Sequence, residues 1–400
     1  MNNEASITKR TGTPTTGILF MSILGALMAF TSLSTDIYLP AMPTMAEELQ
    51  GDAELTVTGF LVGFAIAQLI WGPISDHIGR RIPLFIGMVL FAVGSIGCAM
   101  SQSIEQIVFW RVFQALGACT GPMLARAMIR DLYTRSRAAH MLSTLVIIMA
   151  IAPIAGPLLG GQMIKFSTWH SIFWLLAVIG TLMFFSIFYL PETLRPENRT
   201  KASLGSAFAN YLELFKNLPF MRYTLSLTFY YVAAYAFITG SPFVYIDYYG
   251  VEPQHYGWLF AVNIVGVMGM SFVNRQLVHR FRLDTLLKVT TLIATLSIAI
   301  MMISVKAGFG GIWMIIIPVF IFFSMNGIIA ASSTAAALDE VQRSAGSASA
   351  VIGSLQYGSG IISTLLLATF KDDTPWTMTW IIGLFTALSA LILWTKRSID

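Results

Sequence analysis

The sequence predicts an all-α membrane protein of twelve transmembrane helices arranged as two six-helix halves. Three observations carry this expectation. Hydrophobic residues make up 56% of the 400 and charged residues only 11%, with a mean hydropathy of +0.72, whereas an average soluble domain carries about 25% charged residues. Twelve apolar stretches approach or exceed the roughly 20 residues that a helix needs to cross a bilayer. The longest segment between them, PETLRPENRTKASLGSAFANYLELFKNLPFMR at 191–222, divides them six and six.

In chain order the stretches are 17–38, 55–75, 82–101, 104–129, 138–164, 169–190, 221–246, 256–273, 285–305, 309–331, 345–370 and 376–395. The first holds no charge before Asp36 and continues into Pro40 and Pro43, which marks an uncleaved helix rather than a signal-peptide core. Between the second and third lies the basic turn GPISDHIGRR (72–81). In it Gly72 removes a side chain where backbones can approach, Gly79 permits a tight turn, and Asp76 can cap a helix or accept hydrogen bonds from Arg80 or Arg81. Such a turn can latch one face of the bundle, with Glu192 as a further partner.

The fourth stretch carries Arg111 and Gln114 on one helix face, Arg126 near enough to its end to snorkel, and Gly117, Gly121 and Ala125 as a packing face. The fifth contains Pro153, Gly156, Pro157, Gly160 and Gly161, which allow close packing and a bend. The seventh reads FYYVAAYAF, where Tyr231 and Tyr235 share a face suited to lipophilic or cationic ligands. Asn263, Asn326 and Gln356 place amides in the eighth, tenth and eleventh, either as substrate contacts or as interhelical hydrogen bonds.

The chain therefore divides into an N-terminal six-helix half (1–190), an inter-half linker (191–220) and a C-terminal six-helix half (221–400). A degenerate repeat supports this division: DHIGRR (76–81) matches VHRFR (278–282), and APIAGPLLGG (152–161) matches GSLQYGSG (353–360). Two such halves place a substrate site between them near the bilayer midplane.

Orientation follows from the Lys and Arg distribution. With the N-terminus inside, 19 of the 24 fall in inside segments, including Lys9, Arg10, Lys201, Arg343, Lys396 and Arg397. Lys165, Lys306 and Lys371 fall outside, and Arg111 and Arg126 lie within the fourth stretch. Both termini are thus expected in the cytoplasm. The net charge of +4 reflects this asymmetry and gives no argument for nucleic acid.

Other function classes find little support. Cys98 and Cys119 both fall inside apolar stretches, as buried thiols rather than disulfide or metal ligands. The five histidines lack ligand spacing, and no phosphate-binding Gly-rich loop occurs. No nucleophile and base constellation marks an enzyme.

Asp36 is the residue that needs a reason, because a carboxylate at mid-bilayer costs on the order of 3 kcal/mol. At ~1.5 Å per residue it lies about 28 Å above Gly17, still within a ~30 Å core. Arg111 enters from the other side to a similar depth. Burial favours the protonated carboxyl and a nearby guanidinium favours the ionised one. A carboxylate that meets Arg111 in one conformation and loses it in another can carry a proton once per cycle; a static ion pair tying two helices is the alternative.

GPISDHIGRR resembles the signature loop of the major facilitator superfamily, Gly-x-x-x-Asp-x-x-Gly-Arg-Arg/Lys. RVFQALGA (111–118) and APIAGPLLGG resemble two patterns of its drug-proton antiporters. TDIYLPAMP, ARAMIRDLY (125–133), GSPFVYIDYYGV (240–251) and SAGSASAVIGSLQ (344–356) are similar to the bicyclomycin-resistance (Bcr/CflA) branch. The second-half turn departs by lacking the Asp and Gly of the first. The resemblance implies a multi-pass transporter of the bacterial inner membrane that exports small-molecule drugs in exchange for protons. It needs no cofactor beyond the proton gradient and has no obligate protein partner in evidence. In it Asp36 and Arg111 couple the proton, and the fifth helix limits proton leakage. An exporter of an amino acid, small peptide or other metabolite is the alternative.

Overall fold

The computed structural model describes residues 17–200, 204–341 and 344–394. Of the charges used for orientation, Lys9, Arg10, Lys201, Arg343, Lys396 and Arg397 lie outside the described residues.

Twelve helices are long and apolar enough to cross a membrane, and no strand occurs among the described residues. The first six are α1 (Ile18–Asp36), α2 (Glu54–Ile78), α3 (Arg81–Met100), α4 (Ile104–Leu132), α5 (Arg135–Phe166) and α6 (Trp169–Ser186). The second six are α7 (Leu218–Pro242), α8 (Pro253–Leu277), α9 (Leu283–Ala307), α10 (Trp313–Asp339), α11 (Ala345–Thr369) and α12 (Pro375–Trp394). A shorter helix, Leu204–Lys216, lies between the two sets. All twelve overlap the expected stretches, because apolar length is read directly from the chain.

Three local features depart from uniform helices. After Asp36 the chain passes through a 3₁₀ turn, Leu39–Ala41, into a short helix, Met42–Leu49. Ile37, Tyr38, Leu39 and Ala41 there are fully buried, so Asp36 ends a helix without reaching the surface. Helix α4 is interrupted at Cys119. Pro122 has no N–H for the carbonyl of Ala118 four residues earlier, and the Thr31 hydroxyl of α1 donates to that carbonyl instead, at 3.5 Å. Past Pro242, α7 widens into a π-helical turn, Phe243–Tyr248, a form often found at functional sites.

The same contacts recur in both sets of six. In the first, α1 packs on α4 and α5, α2 on α4, and α3 on α4 and α6; in the second, α7 packs on α10 and α11, α8 on α10, and α9 on α10 and α12. Between the sets, α2 lies along α11 and α5 along α8. These crossings are related by the same six-helix offset, the arrangement expected of a repeated fold.

The bundle has two ends: the turn end, which carries Asp76–Arg81, and the opposite end. At the opposite end α5 and α8 meet almost backbone to backbone. A Cβ on Gly161 would lie 2.5 Å from the Pro253 carbonyl, and one on Gly257 would lie 2.7 Å from the Leu158 nitrogen. Thr58 of α2 and Thr364 of α11 share a hydrogen bond of 2.5 Å there. Toward the turn end, α2 and α11 still touch where the Ser354 hydroxyl donates to the Ala65 carbonyl at 3.0 Å. At Gly72 the contact has ended: a Cβ there would meet nothing within 4 Å. In this conformation no backbone approaches Gly72, which corrects its expected role as a site of close approach.

Candidate functional site

The site forms where α1 ends. With the helix stopping at Asp36, the Ser34 carbonyl is free of the helical ladder and lies at a helix C-terminus, where positive charge is favoured. Arg111 Nη1 donates to it at 3.0 Å and to Gln114 Oε1 at 2.6 Å, while Nε donates to the Thr56 carbonyl at 3.4 Å. Gln114 passes the chain on, its Nε2 donating to Ser95 at 2.7 Å. The guanidinium lies 4.4 Å from the Tyr38 ring centroid and 4.5 Å from that of Phe60. These cation–π contacts compensate a charge whose residue is 0% exposed. One nitrogen, Nη2, has no partner among the described residues.

Asp36 is 7% exposed, and its Oδ1 accepts a hydrogen bond from Thr35 Oγ1 at 2.9 Å. Among the described residues it forms no ion pair with Arg111. The two groups share the end of α1, one carboxylate beside one guanidinium with an unused N–H. Gln114 is fully buried between Arg111 and Ser95, so it holds Arg111 and presents no free face to a ligand in this conformation.

Helix α5 clamps this corner. A Cβ on Gly160 would lie 1.6 Å from the Ile37 carbonyl, and one on Gly156 would lie 3.3 Å from Asp36 Cβ. The next residue, Gly161, faces Pro253 of α8. Thus α5 touches the Asp36 corner on one side and the other half on the other, and it remains helical through Pro153 and Pro157.

Aromatic rings continue from Arg111 across the interface. Phe60 and Phe64 stack at 5.9 Å, Phe64 meets Tyr357 at 4.1 Å, Tyr357 meets Tyr235 at 6.4 Å, and Tyr235 meets Tyr231 at 6.2 Å. Tyr231 is half-buried beside Asn326, whose Oδ1 has no partner among the described residues. Asn263 is buried, and its Nδ2 donates to the Leu259 carbonyl of its own helix at 3.3 Å, apart from this row. Gln356 is half-buried on α11. Arg126 is exposed, and its Nε donates to the Pro122 carbonyl at 3.0 Å. Tyr357 was legible only as part of the Gly-rich GSLQYGSG; no spacing rule points from Phe64 to a ring almost 300 residues later.

At the turn end, Arg80 is the hub. Its Nη1 donates to Asp76 Oδ1 at 2.6 Å and to Ser75 at 2.7 Å, and its Nε and Nη2 donate to the two oxygens of Asp131 at 2.9 and 3.3 Å. Glu192 receives the backbone N–H groups of Arg80 and Arg81 at 2.9 and 3.1 Å, an anion at the start of α3. Gly79 has φ +101°, and a Cβ there would lie 2.5 Å from Glu192 Oε2. The Arg81 guanidinium lies 5.7 Å from the Phe85 ring. The latch therefore ties α2, α3, α4 and the tail of the first six helices; Asp131 was its unforeseen member. Because Asp76 is half-exposed and its (i, i+4) pair contributes only about 0.5 kcal/mol, Asp76→Asn protein is expected to express and unfold like wild type while efflux drops at least severalfold. Normal efflux by well-expressed variant would reduce the turn to a topological anchor.

A twelve-helix bundle with a repeated architecture and charged groups buried inside its first half is a membrane transporter, with no enzyme chemistry required of it. Residues 24–364 match the Major Facilitator Superfamily, and the chain belongs to that family. It is 35% identical over 351 residues to an uncharacterized MFS-type transporter, YdgK, of Bacillus subtilis (strain 168), covering 86% of this chain and 87% of that one. It is 30% identical to a bicyclomycin resistance protein homolog of Haemophilus influenzae, covering 93% and 94%. It is 28% identical to Multidrug resistance protein D of Escherichia coli (strain K12), covering 95% and 96%. The similarity supports the bicyclomycin-resistance branch of the drug-proton antiporters.

Proposed function

We propose that the protein is a proton-coupled multidrug efflux transporter, exporting small amphipathic toxic compounds such as antibiotics across the bacterial inner membrane by alternating access. In this reading the halves 1–190 and 221–400 rock about the interface, joined by the cytoplasmic linker 191–220, and both termini are cytoplasmic. The observation that carries it is the corner of α1: a buried carboxylate, a fully buried guanidinium with one unused N–H, and a helix, α5, that bears on both the carboxylate and the opposite half.

A proton on Asp36 removes the charge whose burial is costly. Its loss restores an anion that Arg111 Nη2 can receive, and any movement of the α1 corner is passed through Gly156, Gly160 and Gly161 to α8. The row Tyr357, Tyr235 and Tyr231 offers ring faces to a flat or cationic ligand at the same interface. One proton entering down ~100 mV yields about 2.3 kcal/mol, enough for roughly a fiftyfold gradient of a neutral drug. The relatives named for bicyclomycin and multidrug resistance support the substrate class.

Protons should be released when drug is added to purified protein in weakly buffered detergent solution, in proportion to the drug bound. Drug binding without any pH change sinks the coupling. Orientation is tested separately by single cysteines in a cysteine-free background: an impermeant maleimide added to intact cells is expected to label Glu252→Cys and spare Glu197→Cys. Equal labelling of both would overturn the assignment.

A further inference from the structure

We propose that the cleft at the opposite end of the bundle binds organic cations, with Glu54 as the anchoring carboxylate and Lys371 as a built-in competitor. The cleft has a volume of about 940 Å³, within the ~300–1,000 Å³ range of small-molecule sites. One wall is the short helix Met42–Leu49 and the start of α2; the other is the π-helical turn after α7 and the link from α11 to α12. Six carboxylates line it: Glu47, Asp52, Glu54, Asp247, Asp372 and Asp373.

Glu54 differs from the other five. It is 4% exposed, and its Oε2 is buried with no hydrogen-bond partner among the described residues. A carboxylate oxygen removed from water without a partner is costly, and a cation seated in the cleft offsets that cost through its charge. Lys371 marks how such a cation sits. It is the single basic side chain lining the cleft among the described residues; its Nζ lies 3.9 Å from Asp52 Oδ1 and 5.3 Å from the Phe243 ring centroid. An ammonium held between a carboxylate and an aromatic face is the arrangement that recognises alkylammonium ligands. Lys371 is exposed and flexible enough to swing away, so a ligand with a permanent charge and an apolar body can replace it against Phe243, Val244 and Met378. A metal ion fits less well, since no cluster of metal-ligand spacing occurs among the described residues.

One turn further in from Glu54, the hydrogen-bonded Thr58 and Thr364 hydroxyls tie α2 to α11 beneath the cleft. The cleft is thus a station distinct from the Asp36 corner. As an exit station for exported cations it rests on the antiport reading; as a binding site it does not.

The test is equilibrium binding of tetraphenylphosphonium to the purified full chain in detergent, with no gradient. Glu54→Gln is expected to weaken binding about tenfold, and Lys371→Gln to tighten it several-fold by removing the resident ammonium. Asp284→Asn, at the turn end, is expected to leave the affinity unchanged. The gain in Lys371→Gln cannot arise from misfolding. Affinities unmoved by both cleft variants, or weakened as much by Asp284→Asn, overturn the proposal. Glu54-dependent binding in a protein that releases no protons with drug would sink the antiport reading and leave this site standing.

Discussion

Asp36→Asn protein is expected to fold, insert and bind a neutral drug, yet to release no protons when the drug is added. The amide has the shape of the protonated carboxyl, can still accept from Thr35 Oγ1, and fits against Gly156 without new atoms. What it cannot do is ionise. Proton release should fall at least tenfold, to the level of drug added to buffer, and active efflux should stop while facilitated exchange persists. Cells carrying Asp36→Asn that still expel drug against a gradient in an uncoupler-sensitive manner would place the proton site elsewhere.

Replacement of Arg111 is expected to divide sharply by side chain. In Arg111→Ala the Ser34 and Thr56 carbonyls and Gln114 Oε1 lose their common donor, and a cavity opens between the Tyr38 and Phe60 rings. Buried acceptors left without donors cost ~1–3 kcal/mol each, so a loss of at least about 3 kcal/mol, a marked fall in unfolding temperature and no transport are expected. Arg111→Lys keeps a cation over the aromatic rings and one donor for Ser34, but loses the planar fork; partial transport is expected. Thermal unfolding in detergent paired with efflux in cells measures both. Wild-type efflux and unfolding temperature in Arg111→Ala would show that the guanidinium serves neither the fold nor the proton.

The two groups were legible for different reasons. Asp36 stands out because a charge late in an uncharged apolar stretch needs an account on energetic grounds alone. The fifth-helix glycines were legible as a packing face, but the sequence could not say that Gly160 meets Ile37 while Gly161 meets Pro253, because those contacts join residues about a hundred positions apart or more. Gln114 shows the reverse. A polar side chain inside a span reads as a ligand contact, and only its neighbours reveal that both ends of its amide are occupied by Arg111 and Ser95. Glu54 opens a helix and reads as an ordinary N-terminal acid; its burial and partnerless oxygen come from the chain folded over it.

By itself, the sequence determined the number of spans, the division into six and six, the signature turn and the buried charge near the end of the first helix. Each follows from local quantities: apolar length, glycine and proline placement, and the cost of a charge in hydrocarbon. The tertiary structure alone decided which partners those charges have: Arg111 on the Ser34 carbonyl instead of on Asp36, Arg80 on Asp131 as well as Asp76, and the Tyr357 ring bridging Phe64 to Tyr235. The reason is that hydrogen bonds and ring contacts act over a few ångströms, whereas the residues that make them here are separated by tens to hundreds of positions and meet only when the helices pack.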